Sequence, residues 1–114
     1  MVVEGCLFCG IVAGDVDAQV VRETERTVAF RDINPQATVH VLVVPRDHHA
    51  HAAELAAADP AASAEVVTTA AAVAADEGYP DDYRLVFNTG AGAGQTVFHA
   101  HAHLLAGDMT RLPL

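Results

Sequence analysis

The segment 99–105 constrains the fold of this chain more than any other, because it alternates histidine with apolar residues (HAHAHLL). Side chains two positions apart in a β-strand point to the same face of a sheet. The alternation therefore predicts a strand over residues 96–105, with His99, His101 and His103 on one face and three apolar side chains on the other. Three neighbouring imidazoles repel one another when charged, so we expect them to titrate together and to serve chemistry rather than packing.

Four other short segments are rich in β-branched or aromatic residues, which predicts strands at residues 19–23, 27–31, 40–45 and 84–88. The first two of these strands are joined by a short link that contains Glu25 and Arg26, which predicts a hairpin. Residues 32–36 (DINPQ) predict a turn, because the proline disfavours helix at Asn34. Neighbouring strands joined by such short links predict a five-stranded antiparallel sheet.

Two segments are predicted to be helical. Residues 6–13 (CLFCGIVA) are compatible with one or two turns, and the Ala-rich residues 50–75 predict one long helical region. Pro60 divides that region, with Asp59 as the N-cap of its second part. We expect an α+β domain with the helices on one side of the sheet. The packing face of the long helical region is predicted to hold Val66, Val67, Ala70, Val73 and Ala74.

The composition excludes several classes of partner. The 114 residues predict a single domain over 1–114, with 15 acidic residues, six basic residues and a formal net charge of −9. That charge disfavours non-specific binding to nucleic acid or to an anionic membrane. No apolar run approaches the roughly 18 residues that span a bilayer. The first four residues do not resemble a signal peptide, so we expect a cytoplasmic protein.

The histidine pattern permits two kinds of chemistry. Neutral imidazoles two apart on a strand bind metal ions; alternatively, one imidazole is a nucleophile and its neighbours handle protons. Asn88, a Gly-rich loop, Gln95 and Thr96 precede the histidines and favour phosphorus chemistry, because glycine lets backbone N–H groups approach a phosphate. Taken alone, Asp32 and His40 are interpreted as structural residues. Alternatively, the Asp32 carboxylate accepts hydrogen bonds from ribose hydroxyls.

The pattern His-apolar-His-apolar-His-apolar-apolar resembles the signature of the histidine-triad (HIT) family. Residues 32–45 (DINPQATVHVLVVP) and 88–103 (NTGAGAGQTVFHAHAH) resemble the nucleotide-binding branch of that family, and residues 6–16 (CLFCGIVAGDV) resemble its bacterial members. The resemblance covers nearly the whole chain in order. It implies a homodimer in which two five-stranded sheets join, and a purine nucleotide such as AMP or GMP as the ligand.

The resemblance also implies roles by position. His101 matches the nucleophile that attacks the α-phosphorus, which gives a nucleotidyl-histidine that water or another acceptor resolves. His103 and Thr96 match the residues at the α-phosphate and the leaving group, with a protonated His103 as proton donor. His40 and His99 match supporting histidines. The other nucleotide-binding positions are Asn88, Gly94 and Gln95 at the phosphate, Asp32 at the ribose, and Leu7, Phe8, Ile11, Phe30 and Ile33 at the base.

The function implied by the resemblance is hydrolysis of purine nucleoside phosphoramidates, without a catalytic cofactor. Three alternatives stay open: a dinucleoside polyphosphate hydrolase, a nucleotide-binding regulator with negligible turnover, and a zinc hydrolase whose triad ligates a catalytic metal. Two departures concern the leaving group. Many relatives have serine at the position of Thr96, and the tail 108–114 (DMTRLPL) lacks the aromatic residue that close relatives place there.

Cys6 and Cys9 have the spacing of a zinc half-site, although a redox pair or two small apolar side chains of a short helix would also explain them. Some bacterial members of the family complete this half-site with histidines at the positions of His48 and His99. The resemblance therefore implies a closed, structural Cys2His2 zinc site. His49 and His51 lie close to His48 in the sequence, so the sequence leaves open which of the three completes the site.

Overall fold

The computed structural model describes residues 3–109. Met1, Val2 and residues 110–114 lie outside the described part. The predictions about residues 1–4 and about the tail 108–114 therefore fall partly outside the described residues. The strands are β1 (Val20–Glu23), β2 (Thr27–Arg31), β3 (Ala37–Pro45), β4 (Arg84–Phe87) and β5 (Ala102–Met109). The helices are α1 (Leu7–Ala13), α2 (Ala52–Ala58), α3 (Pro60–Asp76) and a single 3-10 turn, Ala91–Ala93.

The five strands form one antiparallel sheet in the order β1-β2-β3-β5-β4. This confirms the predicted five-stranded antiparallel sheet and the hairpin of β1 and β2. The strand predicted at 40–45 is longer than expected and begins at Ala37. The central strand β3 pairs with β2 on one side and with β5 on the other, so the spatial order of the strands departs from their order in the chain after β3, where α2, α3 and β4 intervene.

Helices cover both faces of the sheet, so the expectation that they lie on one side is wrong. α3 packs Val66 and Val73 against one face, with Val41 and Leu104 among its neighbours in that core. α1 packs against the other face through Phe8, in a smaller core with the even-numbered residues of the first strands, Val28, Phe30, Leu42 and Val44. The reason lies in β3, which is buried without interruption from Val39 to Pro45 and therefore needs cover on both faces.

The last strand begins at Ala102, six residues later than the 96–105 pattern predicts, and it continues to Met109. Ala102 pairs with Val43 of β3 and with Phe87, the last residue of β4. Upstream of Ala102 the chain leaves the ladder, and the N–H of Ala100 donates to the carbonyl of His49, beyond the end of β3, at 2.6 Å. His99 and His101 therefore precede the strand, although Ala100 and Ala102 still face the α3 core.

The helix boundaries follow from local signals. α1 ends at Gly14, whose positive φ of 83° suits glycine at a helix C-terminus. Pro60 separates α2 from α3, and the Asp59 side chain accepts from the N–H of Ala62, which confirms the predicted N-cap. Val67 was predicted on the buried face, but it is 47% exposed and Thr69 is buried instead. No helix within residues 3–109 is long and apolar enough to cross a membrane.

Candidate functional site

A cavity of about 690 Å³ lies on the α1 side of the sheet. We call it the main cavity. It brings together nine of the residues that the sequence predicts for a nucleotide site: Leu7, Phe8, Ile11, Phe30, Asp32, Ile33, Thr96, His101 and His103. Asp32, Thr96, His101 and His103 supply polar groups, whereas α1, Phe30 and Ile33 supply an apolar wall. One side of the cavity therefore suits an aromatic base and the other a phosphate.

His101 has a defined tautomer. Its Nδ1 lies 2.8 Å from the carbonyl oxygen of His99, and a carbonyl can only accept, so Nδ1 carries the proton. The lone pair of the ring is therefore on Nε2. The ring stands nearly perpendicular to Phe8, with centroids 5.0 Å apart, and it lines the main cavity. The geometry fixes the ring and leaves a basic nitrogen available for attack or for a proton.

His103 is oriented by a second histidine. The N–H of Gln36 donates to Nδ1 of His40 at 3.0 Å, so the proton of His40 is on Nε2. That Nε2 lies 2.9 Å from Nδ1 of His103 and 3.4 Å from Oδ2 of Asp32. Nδ1 of His103 therefore accepts, and the proton of His103 is on Nε2. We call Asp32, His40 and His103 the Asp/His cluster.

Burial holds these imidazoles neutral. Desolvation lowers the pKa of His103 to about 4, and electrostatic repulsion from His101 and His40 lowers it in the same direction. Desolvation also lowers the pKa of His101, against a smaller opposing effect of its bond to the His99 carbonyl. For His40, burial outweighs the attraction of Asp32 and lowers the pKa. Near pH 7 the site consists of neutral imidazoles in fixed tautomers.

The two cysteines meet two histidines beneath the main cavity. Nδ1 of His99 lies 3.5 Å from the Sγ atoms of both Cys6 and Cys9, and Nδ1 of His48 lies 3.5 Å from Sγ of Cys9. Nε2 of His99 donates to the carbonyl of Pro45 at 2.8 Å, which leaves the Nδ1 lone pair facing the sulfurs. We call Cys6, Cys9, His48 and His99 the Cys/His cluster.

The Cys/His cluster has the dimensions of a tetrahedral zinc site. All four ligand atoms lie within 4.8 Å of one another. Zn–S bonds of about 2.3 Å and Zn–N bonds of about 2.0–2.1 Å at tetrahedral angles place sulfur and nitrogen about 3.5 Å apart, the distance observed here. Burial raises the pKa of the Cys9 thiol, so a thiolate at this position requires a nearby cation. The residues present therefore fit zinc.

The structure also shows which of His48, His49 and His51 lies beside the two cysteines. His48 belongs to the Cys/His cluster. The carbonyl of His49 accepts from Ala100, and Nδ1 of His51 accepts from the N–H of Glu54 and caps α2. His48 alone of these three has its ring against the ring of His99, with centroids 5.0 Å apart. Sequence spacing could not separate the three, because all are near the end of β3.

The Gly-rich loop is a 3-10 turn between two glycines with positive φ, Gly90 at 87° and Gly94 at 99°. Gln95 is buried, and its amide is used within the protein. Its Nε2 donates to the carbonyls of Ala50 and Val97, at 2.7 and 3.0 Å, and its Oε1 accepts from the N–H of Gly90 at 2.9 Å. Gln95 therefore fixes the loop from beneath.

Five of the residues predicted for catalysis or nucleotide binding lie outside the lining of the main cavity. They are His40 and His99 behind the triad, and Asn88, Gly94 and Gln95 at the loop. The sequence prediction missed seven lining residues: Val16, Asp17, Ala18, Gln19, Arg31, Leu42 and Val97. Two signals could have indicated some of them. Arg31 and Val97 adjoin predicted residues, and Leu42 is two positions from His40 on the same face of β3.

Positive charge in the main cavity is already compensated. Arg31 lines the cavity, but its guanidinium pairs with Glu77 at 2.9 Å. Arg22 and Arg46 also pair with acidic side chains, away from the cavity. A phosphate in the cavity must therefore rely on imidazole, hydroxyl and backbone N–H donors.

Comparison with known proteins extends these observations. The model of the HIT domain family matches residues 13–110. An uncharacterized HIT-like protein of Synechococcus elongatus is 42% identical over 110 residues, which are 96% of each chain. The purine nucleoside phosphoramidase of Escherichia coli is 36% identical over 105 residues, 91% of this chain and 88% of that protein. The structure of a HIT family hydrolase from Clostridium thermocellum matches with a TM-score of 0.89 and 41% identity, covering 98% of this chain and 99% of the other.

Proposed function

Because the chain belongs to the HIT family, we propose that it hydrolyses purine nucleoside phosphoramidates through a nucleotidyl intermediate on Nε2 of His101. The observation that carries the proposal is the bond from Nδ1 of His101 to the His99 carbonyl, 2.8 Å long, which places the lone pair on the opposite nitrogen. The similarity to a purine nucleoside phosphoramidase supports the choice of substrate.

The nucleotide is expected to fill the main cavity in one orientation. The base packs against the apolar wall formed by Leu7, Phe8, Ile11, Phe30 and Ile33. The ribose hydroxyls donate to the carboxylate of Asp32, whose Oδ1 already accepts from the N–H of Asn34 at 2.8 Å and is thereby fixed. The α-phosphate then lies beside His101, His103 and Thr96, which line the same cavity.

In the first step the Nε2 lone pair of His101 forms a bond to the α-phosphorus. The reactive substrate carries an additional proton, taken up from solvent, on its phosphoramidate nitrogen. The P–N bond breaks, its electron pair stays on that nitrogen, and the amine departs neutral. Nδ1–H of His101 remains bound to the His99 carbonyl, which stabilises the positive charge of the substituted imidazole.

In the second step water attacks phosphorus, and the electron pair of the P–Nε2 bond returns to His101. The products are the nucleoside monophosphate and the amine, which takes up the proton that the water releases. His103 was expected to be a cationic proton donor, but its pKa of about 4 makes the free enzyme's ring neutral at pH 7. We therefore assign it a hydrogen bond from Nε2–H to the phosphoryl group, with the Thr96 hydroxyl as a second donor.

Trapping the adduct tests this function directly. Rapid quenching during turnover of an adenosine phosphoramidate is expected to give a covalent nucleotidyl protein in mass spectrometry, and His101→Asn is expected to give none. A nucleotide-binding regulator would bind AMP without forming the adduct. A hydrolase with a catalytic metal on the triad would lose activity on exhaustive chelation, whereas the proposed mechanism needs no catalytic metal.

Phosphoramidates are expected to be better substrates than dinucleoside polyphosphates. An amine leaves neutral, whereas a polyphosphate leaving group is multiply anionic and needs cations. Arg31 is neutralised by Glu77, and the net charge of −9 repels such a substrate further, more so at low salt. The test compares kcat/KM for an adenosine phosphoramidate and diadenosine tetraphosphate. Equal values, or a preference for the tetraphosphate, would contradict the assignment of substrate class.

We also propose that the Cys/His cluster holds one structural zinc ion. Bound there, zinc would supply no open position for a substrate, since two sulfurs and two nitrogens complete a tetrahedron. Its chemistry is to stabilise the two thiolates and to join α1, which carries Cys9, to His48 and His99. One part of α1 then holds the metal while another forms the wall of the main cavity.

A homodimer is the proposed assembly, with β4 as the strand that joins the two sheets. The two edges of the sheet differ. β1 is interrupted by an irregularity between Val20 and Arg22 and carries charged residues, which protect an edge from pairing. β4 (RLVF) is regular, and its Phe87 is 38% exposed. Light scattering at micromolar concentration is expected to give twice the chain mass, and a monomer mass would contradict it.

A further inference from the structure

A second cavity, of about 420 Å³, adjoins the main cavity and extends beyond the proposed nucleotide site. We call it the side cavity. Resting on the proposed function, we propose that the side cavity binds the substituent of the amine leaving group, and that it selects substituents with an apolar stem and a cationic tip. Its lining is formed by two segments, residues 3–7 before and within α1 and residues 96–98 before the triad, together with His48.

The first observation is that the side cavity continues the main cavity on the side of the leaving group. Leu7, Thr96 and Val97 line both cavities, whereas His101 lines only the main one. A nucleophile displaces the group opposite to it on phosphorus, so the leaving nitrogen must point away from His101. Thr96 lies at the boundary of the two cavities, and a substituent on that nitrogen reaches the side cavity first.

The second observation is the distribution of exposed apolar side chains. Residues 3–109 include eight large apolar residues that are exposed, and five of them line at least one of the two cavities. Leu7, Val16 and Ile33 belong to the main cavity. Val3 and Phe98, which are 37% and 51% exposed, line only the side cavity. Exposed apolar surface concentrated at concave sites is typical of ligand binding.

The third observation is the charge of the side cavity. Among residues 3–109, Glu4 is the one acidic residue in the lining, no arginine is part of it, and the other lining residues are apolar or neutral apart from the cluster members Cys6 and His48. An alkyl chain would pack against Phe98 and Val97, and an ammonium group at its end would meet the Glu4 carboxylate. A second phosphate or a carboxylate would instead face Glu4 and the net charge of −9, which disfavours it.

The test uses three adenosine 5′-phosphoramidates, formed from ammonia, n-pentylamine and 1,5-diaminopentane. The measure is kcat/KM of the zinc-loaded protein, because kcat/KM reports the steps up to P–N cleavage and not the later hydrolysis of the intermediate. Phe98→Ala is expected to lower kcat/KM about five- to tenfold for both alkyl substrates and to leave the ammonia substrate within about twofold. Glu4→Gln is expected to lower it about threefold for the diamine substrate alone, and less at high salt.

Two matched controls separate this effect from a general loss of stability. Val20→Ala removes an exposed apolar side chain that lines neither cavity, and Glu25→Gln removes an exposed charge that also lines neither cavity. Neither variant should discriminate among the three substrates. An equal loss with all three substrates, or no loss in Phe98→Ala, would overturn the inference. If the native protein fails to cleave the ammonia substrate, the proposed function itself is overturned, and the two failures are thereby distinguished.

Discussion

The Cys/His cluster and the Asp/His cluster both contain a histidine of the triad, and they differ in the distance between their ligand atoms. In the Cys/His cluster the nitrogen of His99 lies 3.5 Å from each of two sulfurs. In the Asp/His cluster the nitrogens of His40 and His103 lie 2.9 Å apart. Two zinc-bound nitrogens would lie about 3.3–3.4 Å apart at tetrahedral angles, so the second distance is too short for a shared metal and is that of a hydrogen bond.

The tautomers explain the difference. The carbonyl of Pro45 holds the proton of His99 on Nε2, away from the sulfurs, so the facing nitrogen has a free lone pair. The N–H of Gln36 has the opposite effect on His40, whose proton is forced onto the nitrogen that faces His103. One backbone group thus prepares an imidazole for a metal, and another prepares one for a hydrogen bond. Proximity of histidine and an acidic or sulfur ligand does not by itself predict metal binding.

The largest expected effect is at His101, which touches both clusters. His101→Gly removes the proposed nucleophile, and kcat is expected to fall roughly 1000-fold or more. AMP affinity should change by no more than about tenfold, or roughly 1.4 kcal/mol, because the apolar wall and Asp32 remain. The measurements are steady-state kinetics and calorimetric titration with AMP. An unchanged kcat would refute the assignment of His101 as the nucleophile.

The second prediction concerns the Cys/His cluster and its register. Metal analysis of protein produced with ample zinc is expected to find about one zinc per chain. His48→Asn should lose the metal and destabilise the protein by at least about 3 kcal/mol, which corresponds to a Tm lower by roughly 10 °C or more. His49→Asn, one position away, is the matched control and should keep the metal. Retention of zinc by His48→Asn, or a native protein without zinc, would contradict the site.

The third prediction concerns the Asp/His cluster. His40→Asn removes the hydrogen bond to His103 and is expected to lower kcat about 10- to 100-fold, with unchanged zinc content. His40→Gln can place an amide N–H near the position of the lost Nε2–H and should recover part of the rate. An effect of His40→Asn on zinc content, or equal rates for the two variants, would show that the clusters are not separated as the distances indicate.

The smallest effect is expected at a polar cluster without histidine. Glu65 accepts from the Thr24 hydroxyl and from the N–H of Arg26, both at 2.7 Å, and these bonds hold the pKa of its carboxyl below the usual value. A lowered pKa in the folded state stabilises the protein above the unfolded-state pKa, and this contribution disappears as the pH falls through the folded value. Glu65→Gln should therefore lower Tm slightly at pH 7 and should not lower it near pH 3, whereas chelators should affect both proteins equally. A Tm difference independent of pH would contradict the role of the charge.

Local pattern in the sequence predicted much of the secondary structure. The β-branched segments became strands, Pro60 separated two helices, and Gly14 ended the first helix. These outcomes depend on backbone preferences and on neighbours within a few residues. The same reasoning placed three histidines together and identified Cys6 and Cys9 as a pair, and the positions of the candidate site residues followed from the family resemblance.

The tertiary structure decided what depends on residues distant in the chain. The start of β5 lies opposite the end of β4 at Phe87, and the cover on both faces was set by the uninterrupted burial of β3. The choice of His48 over its neighbours depends on a contact with Cys9, 39 residues away, and the inward turn of the Gln95 amide depends on a contact with Ala50, 45 residues away. Alternation along a strand tells which side chains share a face, but only the packed chain fixes which nitrogen of an imidazole meets a carbonyl, a thiol or another imidazole. Those contacts fix the proton of each ring, and with it whether the ring can attack, donate or bind a metal.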